Sequence, residues 1–217
     1  MKPSERLDAF ANARVYLVAP GEFPVDVLEV VVDAGVDVVQ LRMKDADAAE
    51  VIEIGEQWMG VCEDRRVPFI VNDRPDVALA LAADGVHLGQ DDLPPVVARE
   101  ILGPQAIIGR STHSEADIEL ALREHGDGLA DYIAVGPVHE TPTKLGRPGT
   151  GLALIEHAAA VAPMPWFGIG GIDTANVRAV ARTGATRIVV VRAITESSDP
   201  CAAVEALRAA LAVAPRP

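Results

Sequence analysis

The sequence predicts an α/β fold, a single (β/α)8 barrel of the TIM type with its active site at the C-terminal ends of the strands. Three observations lead there. Apolar runs of strand length alternate with helix-period segments, and eight such pairs can be marked along the chain. The runs are nearly continuous in valine and isoleucine, as in parallel strands covered on both faces. Polar and charged residues crowd the ends of the runs, where barrels of this kind carry their chemistry. A doubly wound open sheet is the fallback, although it usually carries fewer strands at this length.

Taken in order, the strand runs are Val15–Ala19, Val36–Leu41, Pro68–Asn72, Gly85–Leu88, Ala106–Gly109, Tyr132–Gly136, Trp166–Ile169 and Arg187–Arg192. Helical segments follow each, at Pro24–Ala34, Ala46–Arg65, Pro75–Ala83, Pro94–Leu102, Ser114–His125, Leu152–Val161, Thr174–Thr183 and Pro200–Ala212. Proline in a first turn marks several starts, at Pro75, Pro94 and Pro200, and Asp199 with Asp173 or Thr174 supplies caps. Turns reading Ala-Gly-Val-Asp, Ala-Asp-Gly-Val and Thr-Gly-Ala-Thr mark helix ends entering strands, where glycine takes the left-handed position. Residues 1–14 are expected to form a short helix closing the barrel bottom. One domain is expected over residues 1–213, with a disordered tail at 214–217.

The charge balance excludes several partners. A net charge of −13 repels nucleic acid and anionic membrane at long range, so neither is an expected partner. No long uncharged apolar run appears and the N-terminus lacks the apolar core of a secretory signal, so a soluble, cytoplasmic protein is expected. Cys62 and Cys201 lie far apart in amphipathic patterns and support neither a disulfide framework nor a zinc site. Whether the chain is a monomer or a homo-oligomer does not follow from these properties. The lysines are only Lys2, Lys44 and Lys144, and the latter two lie just beyond apolar runs. An acidic chain that keeps its rare lysines at strand ends reserves them for a small anionic ligand.

The strand ends carry the rest of the chemistry. After the second run, period-two alternation puts Gln40, Arg42 and Lys44 on one side, a set suited to a polar ring and a phosphate or diphosphate. Asn72 and Asp73 end the third run, and the fourth leads through His87 to Gln90, Asp91 and Asp92. Asp73 and Asp92 can share one hard cation, and magnesium suits one or two carboxylates with water and substrate phosphates. Asp91 is assigned to helix capping. Ser111 and its neighbours offer hydroxyls ahead of a helix N-terminus. Glycines 168, 170 and 171 and the residues Val191 and Arg192 stand where barrels hold a phosphate. The connection from Val135 to Gly151, rich in glycine, proline and threonine and carrying Lys144 and Arg147, suits a flap over an anionic ligand. His87 is read as a packed, hydrogen-bonded residue rather than a catalyst, and His113 and His139 as lying near the mouth with no carboxylate partner assigned. No Ser-His-Asp order or histidine-rich metal spacing stands out, which disfavours acyl transfer and zinc hydrolysis. The residues therefore describe a magnesium-assisted transferase with a diphosphate site at strands 2 to 5 and a monophosphate site at strands 7 and 8.

Six ordered motifs carry a resemblance: Gln-Leu-Arg-Met-Lys from Gln40, Val-Asn-Asp from Val71, His-Leu-Gly-Gln-Asp-Asp from His87, Gly-Arg-Ser-Thr-His from Gly109, Gly-Pro-Val-His-Glu-Thr-Pro-Thr-Lys from Gly136 and Gly-Ile-Gly-Gly-Ile from Gly168. Over nearly its whole length the chain resembles the thiamine phosphate synthase family. The resemblance implies condensation of hydroxymethylpyrimidine diphosphate with a (carboxy)thiazole phosphate, giving thiamine phosphate and diphosphate. It assigns Gln40, Arg42, Lys44, Asn72, Ser111 and Lys144 to the pyrimidine diphosphate, with Arg42, Lys44, Ser111 and Lys144 as the catalytic set. Asp73 and Asp92 would hold Mg2+, and Thr141, Thr143, Gly171, Val191 and Arg192 the thiazole phosphate. Met43 and Arg192 depart from the family pattern, which more often has an acidic or polar residue at the first position and a serine at the second. A thiazole tautomerase or a non-catalytic thiamine phosphate-binding protein of the same fold are the alternatives.

Overall fold

The structure, a computed structural model, describes residues 3–140 and 149–212. Eight strands follow one another around a closed barrel: β1 (Val15–Ala19), β2 (Val38–Leu41), β3 (Phe69–Asn72), β4 (Gly85–Leu88), β5 (Ile107–Thr112), β6 (Tyr132–Val135), β7 (Trp166–Ile169) and β8 (Ile188–Val190). All pair in parallel, and β8 closes on β1 through Val15 opposite Ile188. Parallel strands with valine and isoleucine on both faces need cover on both faces, and the helices provide it outside. These are α1 (Pro3–Asn12), α2 (Val25–Asp33), α3 (Ala48–Arg65), α4 (Pro75–Ala80), α5 (Pro95–Leu102), α6 (Glu115–Gly126), α7 (Ala153–Val161), α8 (Val177–Arg182), α9 (Arg192–Thr195) and α10 (Pro200–Ala212).

Strand alternation divides the apolar residues into two cores. Outward-facing residues such as Leu17, Val39, Val71, Val86 and Ile108 pack under the helices with Leu28, Trp58 and Leu207. The inner core is small and aromatic: Phe10, Tyr16, Val38, Ile70, Ile107, Tyr132, Phe167 and Val189. Phe10 of α1 enters it from below, 4.6 Å from the Tyr132 ring and 5.6 Å from Phe167. The helix expected within residues 1–14 thus plugs the barrel by one aromatic side chain. Cys62 and Cys201 are free thiols, the first buried. Among the described residues no helix is long and apolar enough to cross a membrane.

Several boundaries differ from the sequence reading for local reasons. β5 runs on through Ser111 and Thr112, because β6 pairs with it as far as Thr112 opposite Val135. β8 stops at Val190, and Arg192 opens the short helix α9 instead of ending the strand. The proline pair shifts the fifth helix by one residue, with Pro94 at the N-cap and Pro95 in the first turn. No side-chain bond caps that helix, so the capping role given to Asp91 is not seen. At the turn that leads into Ala83-Asp84-Gly85-Val86 the left-handed residue is Ala82, with φ of 51°. Gly85 instead begins β4, where a Cβ would lie 1.9 Å from the Ile107 carbonyl oxygen. Ser114 and Asp199 do cap their helices, accepting from the backbone N–H of Asp117 and Ala202 at 3.1 and 3.0 Å, whereas Asp173 accepts from Asn176 at 3.0 Å in the turn ahead of α8, whose N-cap is Asn176 with no side-chain bond. The expected tail at 214–217 lies outside the described residues.

Candidate active site

A cavity of about 340 Å³ opens at the C-terminal ends of the strands. Gln40 from β2 lines it, as do Arg42 and Lys44 just beyond, so the alternation read from sequence holds past the strand end. Met43, between them, turns away and packs beside Gly21 and Ile54, where a Cβ on Gly21 would lie 2.5 Å from the Met43 sulfur. The unusual methionine therefore serves the outer core. Asn72 and Asp73 follow from β3, His87, Gly89 and Asp92 from β4 and its loop, and Ser111 and His113 from β5. Arg110 points the other way, donating to Glu124 of α6 at 3.1 Å and to the Gly89 carbonyl at 2.7 Å. Thr112 donates to the Ala134 carbonyl and is fully buried, so of the hydroxyl pair only Ser111 faces the cavity.

Two carboxylates meet at the mouth. Asp73 has a φ of 63°, and its N–H continues the ladder to the His87 carbonyl at 2.8 Å. That left-handed kink follows directly on Asn72 and brings its carboxylate to the cavity. Asp92 is fixed from the other side by the Gly89 N–H, 2.6 Å from its Oδ2. Burial first, and then the adjacent Asp92, raise the Asp73 carboxyl to about 6. Lys44, 3.6 Å away, and Arg42 oppose the shift. Repelling carboxylates flanked by cations fit a hard divalent ion. Among the described residues no group of three His, Cys, Asp or Glu could cage a metal. A magnesium ion held by two carboxylates, with its other ligands from water and a diphosphate, matches that donor set.

Below the carboxylates a buried polar chain crosses the barrel. Gln40 Nε2 donates to the Tyr16 hydroxyl at 2.5 Å, and Tyr16 and Tyr132 share a hydrogen bond of 2.9 Å. The Tyr132 hydroxyl lies 2.9 Å from His87 Nδ1, and His87 Nε2 lies 3.0 Å from Ser111 Oγ. All five residues are buried. Gly109, in lateral register between His87 and Tyr132, leaves the gap that the phenol crosses, since a Cβ there would lie 2.1 Å from the Tyr132 ring.

The far wall is built from β6 to β8. Gly170 and Gly171 have φ of 103° and 62°. Their missing side chains admit Pro137 and His139, which a Cβ would approach to 2.5 and 2.7 Å. Asn176 Nδ2 holds the Gly171 carbonyl at 2.7 Å, which steadies this turn. Val191 and Arg192, beyond the neighbouring β8, line the same cavity. His113 Nδ1 bonds the Gly136 carbonyl and so braces the start of the connection expected to act as a flap.

Ten of the residues singled out from sequence thus line one cavity: Gln40, Arg42, Lys44, Asn72, Asp73, Asp92, Ser111, Gly171, Val191 and Arg192. Thr141, Thr143 and Lys144 lie outside the described residues. The sequence reading does not reach Tyr16 or Tyr132, while His87 is the packed, hydrogen-bonded residue it expects. A signal for the tyrosines existed: the chain has only two, both inside strand runs, and a buried phenol needs a partner for its hydroxyl.

A family model described as thiamine monophosphate synthase matches residues 15–194. A thiamine-phosphate synthase of Deinococcus radiodurans is 49% identical over 211 residues, covering 92% of this chain and 74% of that protein. A thiamine-phosphate synthase of Thermus thermophilus is 48% identical over 202 residues, covering 90% and 95%. Among solved structures, a thiamine phosphate pyrophosphorylase from Pyrococcus furiosus superposes with a TM-score of 0.82 at 34% identity, covering 94% of this chain and 97% of that one.

Proposed function

Because the chain belongs to the thiamine monophosphate synthase family, we propose that it condenses hydroxymethylpyrimidine diphosphate with a thiazole phosphate to give thiamine phosphate and diphosphate. The bond between the pyrimidine methylene carbon and the diphosphate oxygen breaks, and its electron pair leaves on diphosphate. The electron-rich aminopyrimidine supports the resulting benzyl-like cation, and the thiazole nitrogen forms the new carbon–nitrogen bond with its free lone pair. This exchange moves no proton, so the site needs no strong general base.

Each residue then has a task. Gln40 recognises the polar edge of the pyrimidine, and Arg42, Lys44, Asn72, Ser111 and Lys144 hold the diphosphate. Arg42, Lys44 and Lys144 stabilise the charge that grows on it as the bond breaks. Asp73 and Asp92 hold Mg2+, which when bound neutralises diphosphate charge as a Lewis acid. Thr141, Thr143, Gly171 and the backbone at Val191–Arg192 hold the thiazole phosphate, with Arg192 adding charge to that end.

The single observation that carries this reading is the carboxylate pair flanked by Arg42 and Lys44 in the same cavity as Gln40 and Ser111. A thiazole tautomerase has no use for a magnesium diphosphate site, and a silent binding protein has no use for cations placed around a leaving group. The test is thiamine phosphate formation from the two substrates, with and without magnesium, read as thiochrome fluorescence. Product that depends on magnesium is expected. A folded protein that binds both substrates and yields none would overturn the proposal.

A further inference from the structure

The buried chain from Gln40 to Ser111 has a direction, and the direction decides what Ser111 can offer a ligand. An amide nitrogen only donates, so at Gln40 Nε2 the Tyr16 oxygen must accept. The Tyr16 proton then goes to Tyr132, the other hydrogen-bond partner of its hydroxyl among the described residues. Tyr132 has accepted and passes its own proton to His87 Nδ1. A ring that accepts at Nδ1 carries its proton at Nε2, and Nε2 faces Ser111 Oγ. Ser111 therefore accepts from histidine and keeps its own proton for the cavity.

The opposite polarity would begin with Gln40 accepting through Oε1 and end with Ser111 donating to His87. Ser111 would then present only lone pairs to an anion, which repels it. Both phenols sit in the aromatic interior of the barrel, and burial raises the pKa of each, so the chain carries neutral hydroxyls and transmits orientation without moving charge.

We infer that Tyr16, Tyr132 and His87 are positioning residues: their one-way hydrogen-bond relay, polarised by Gln40, fixes His87 as the Nε2–H tautomer and aims the Ser111 hydroxyl proton at the departing diphosphate. The inference rests on the proposed reaction for the identity of the anion, and on the geometry alone for the tautomer. It also links the two ends of one substrate. The Gln40 amide meets the pyrimidine edge, and its orientation sets the donor that meets the diphosphate.

Two measurements test this. In the wild-type protein with 15N-labelled histidine, long-range 1H–15N correlation spectra report the tautomer, and the His87 ring is identified by its loss in His87→Gln. Nε2–H is expected, and conversion to a mixture of tautomers in Tyr132→Phe. A ring protonated at Nδ1 in the wild type overturns the inference. Tyr132→Phe should also lower turnover about tenfold and weaken inhibition by inorganic diphosphate by a similar factor. In a Ser111→Ala background the same substitution should cost nothing further, because no hydroxyl remains to orient. A full additional loss there would show that Tyr132 acts on the fold and would overturn the inference. The wild-type spectrum decides the tautomer even where a variant fails to fold. It stays informative if no thiamine phosphate is formed, which would sink the proposed reaction and leave the relay standing.

Discussion

Asp73 takes a left-handed backbone and places its carboxylate, raised to about 6 chiefly by burial, beside that of Asp92. Both features cost stability. Aspartate and asparagine tolerate φ near 60° better than other side chains, so exchanging them leaves the backbone undisturbed. What the exchange removes is the buried charge and its like-charge contact with Asp92. In protein freed of divalent ions at neutral pH, Asp73→Asn is expected to gain about 1 kcal/mol once solvent screening of this partly exposed pair is allowed for. Magnesium-dependent turnover should fall sharply in the same variant. A thermal melt with chelator, paired with a magnesium titration of activity, checks both, and a variant less stable than wild type contradicts the account. Gly109 bears the opposite kind of constraint. Gly109→Ala would drive a methyl group into the Tyr132 ring and should lose about 2 kcal/mol in denaturant unfolding.

Single residues are legible in the sequence where chemistry recurs in register, as at Gln40, Arg42 and Lys44, and illegible where their role depends on distant partners. Tyr16 and Tyr132 lie 116 positions apart and meet only because the barrel closes. Nothing local to either strand marks Gly109 as the opening between His87 and Tyr132. His87, read alone, is one polar residue in an apolar run, and its two ring partners come from β5 and β6.

The elements are held at the opposite end of the barrel by a repeated device. The residues just before β2, β4 and β6 are Asp37, Asp84 and Asp131. Each carboxylate accepts from the backbone at the start of the preceding strand: Asp37 from Val15, Asp84 from Phe69 and Asp131 from Ile108, at 2.7–2.9 Å. An arginine clamps each one, Arg208 at 2.7 Å, Arg6 at 2.6 Å and Arg99 at 2.8 Å. Parallel strands lack the tight hairpins that would fix their starts, and these clasps do that work pair by pair. The turns before β2 and β4 are recognisable in the sequence as helix ends, whereas the carboxylate contacts need the register of the neighbouring strand. Asp131→Ala leaves Arg99 half-satisfied beneath the barrel and should destabilise the fold by about 2–3 kcal/mol. Its KM values and turnover should match wild type at temperatures where it is folded, because the proposed active site is at the other end. Urea denaturation and steady-state kinetics on one preparation separate the two effects, and altered KM with unchanged stability would contradict this division of labour.

With a net charge of −13, the protein must admit both phosphorylated substrates of the proposed reaction to one cavity. The bulk charge repels them at distances where its sum is felt, while Arg42, Lys44 and Arg192 attract them within contact range. Salt acts unequally on these terms. At about 0.1 M ionic strength the screening length is about 10 Å, which weakens the long-range repulsion far more than hydrogen-bonded contacts inside a partly enclosed site. Added potassium chloride is therefore expected to raise kcat/KM for the pyrimidine diphosphate at fixed saturating magnesium, the reverse of a protein whose overall charge steers its anionic ligand. Lys44→Gln makes the mouth more negative without removing the carboxylates. It should lower kcat/KM at every salt concentration and steepen the rise. Initial rates of both proteins across a salt series measure the two slopes. A wild-type rate that falls with salt would mean that the local cations, and not the net charge, govern approach.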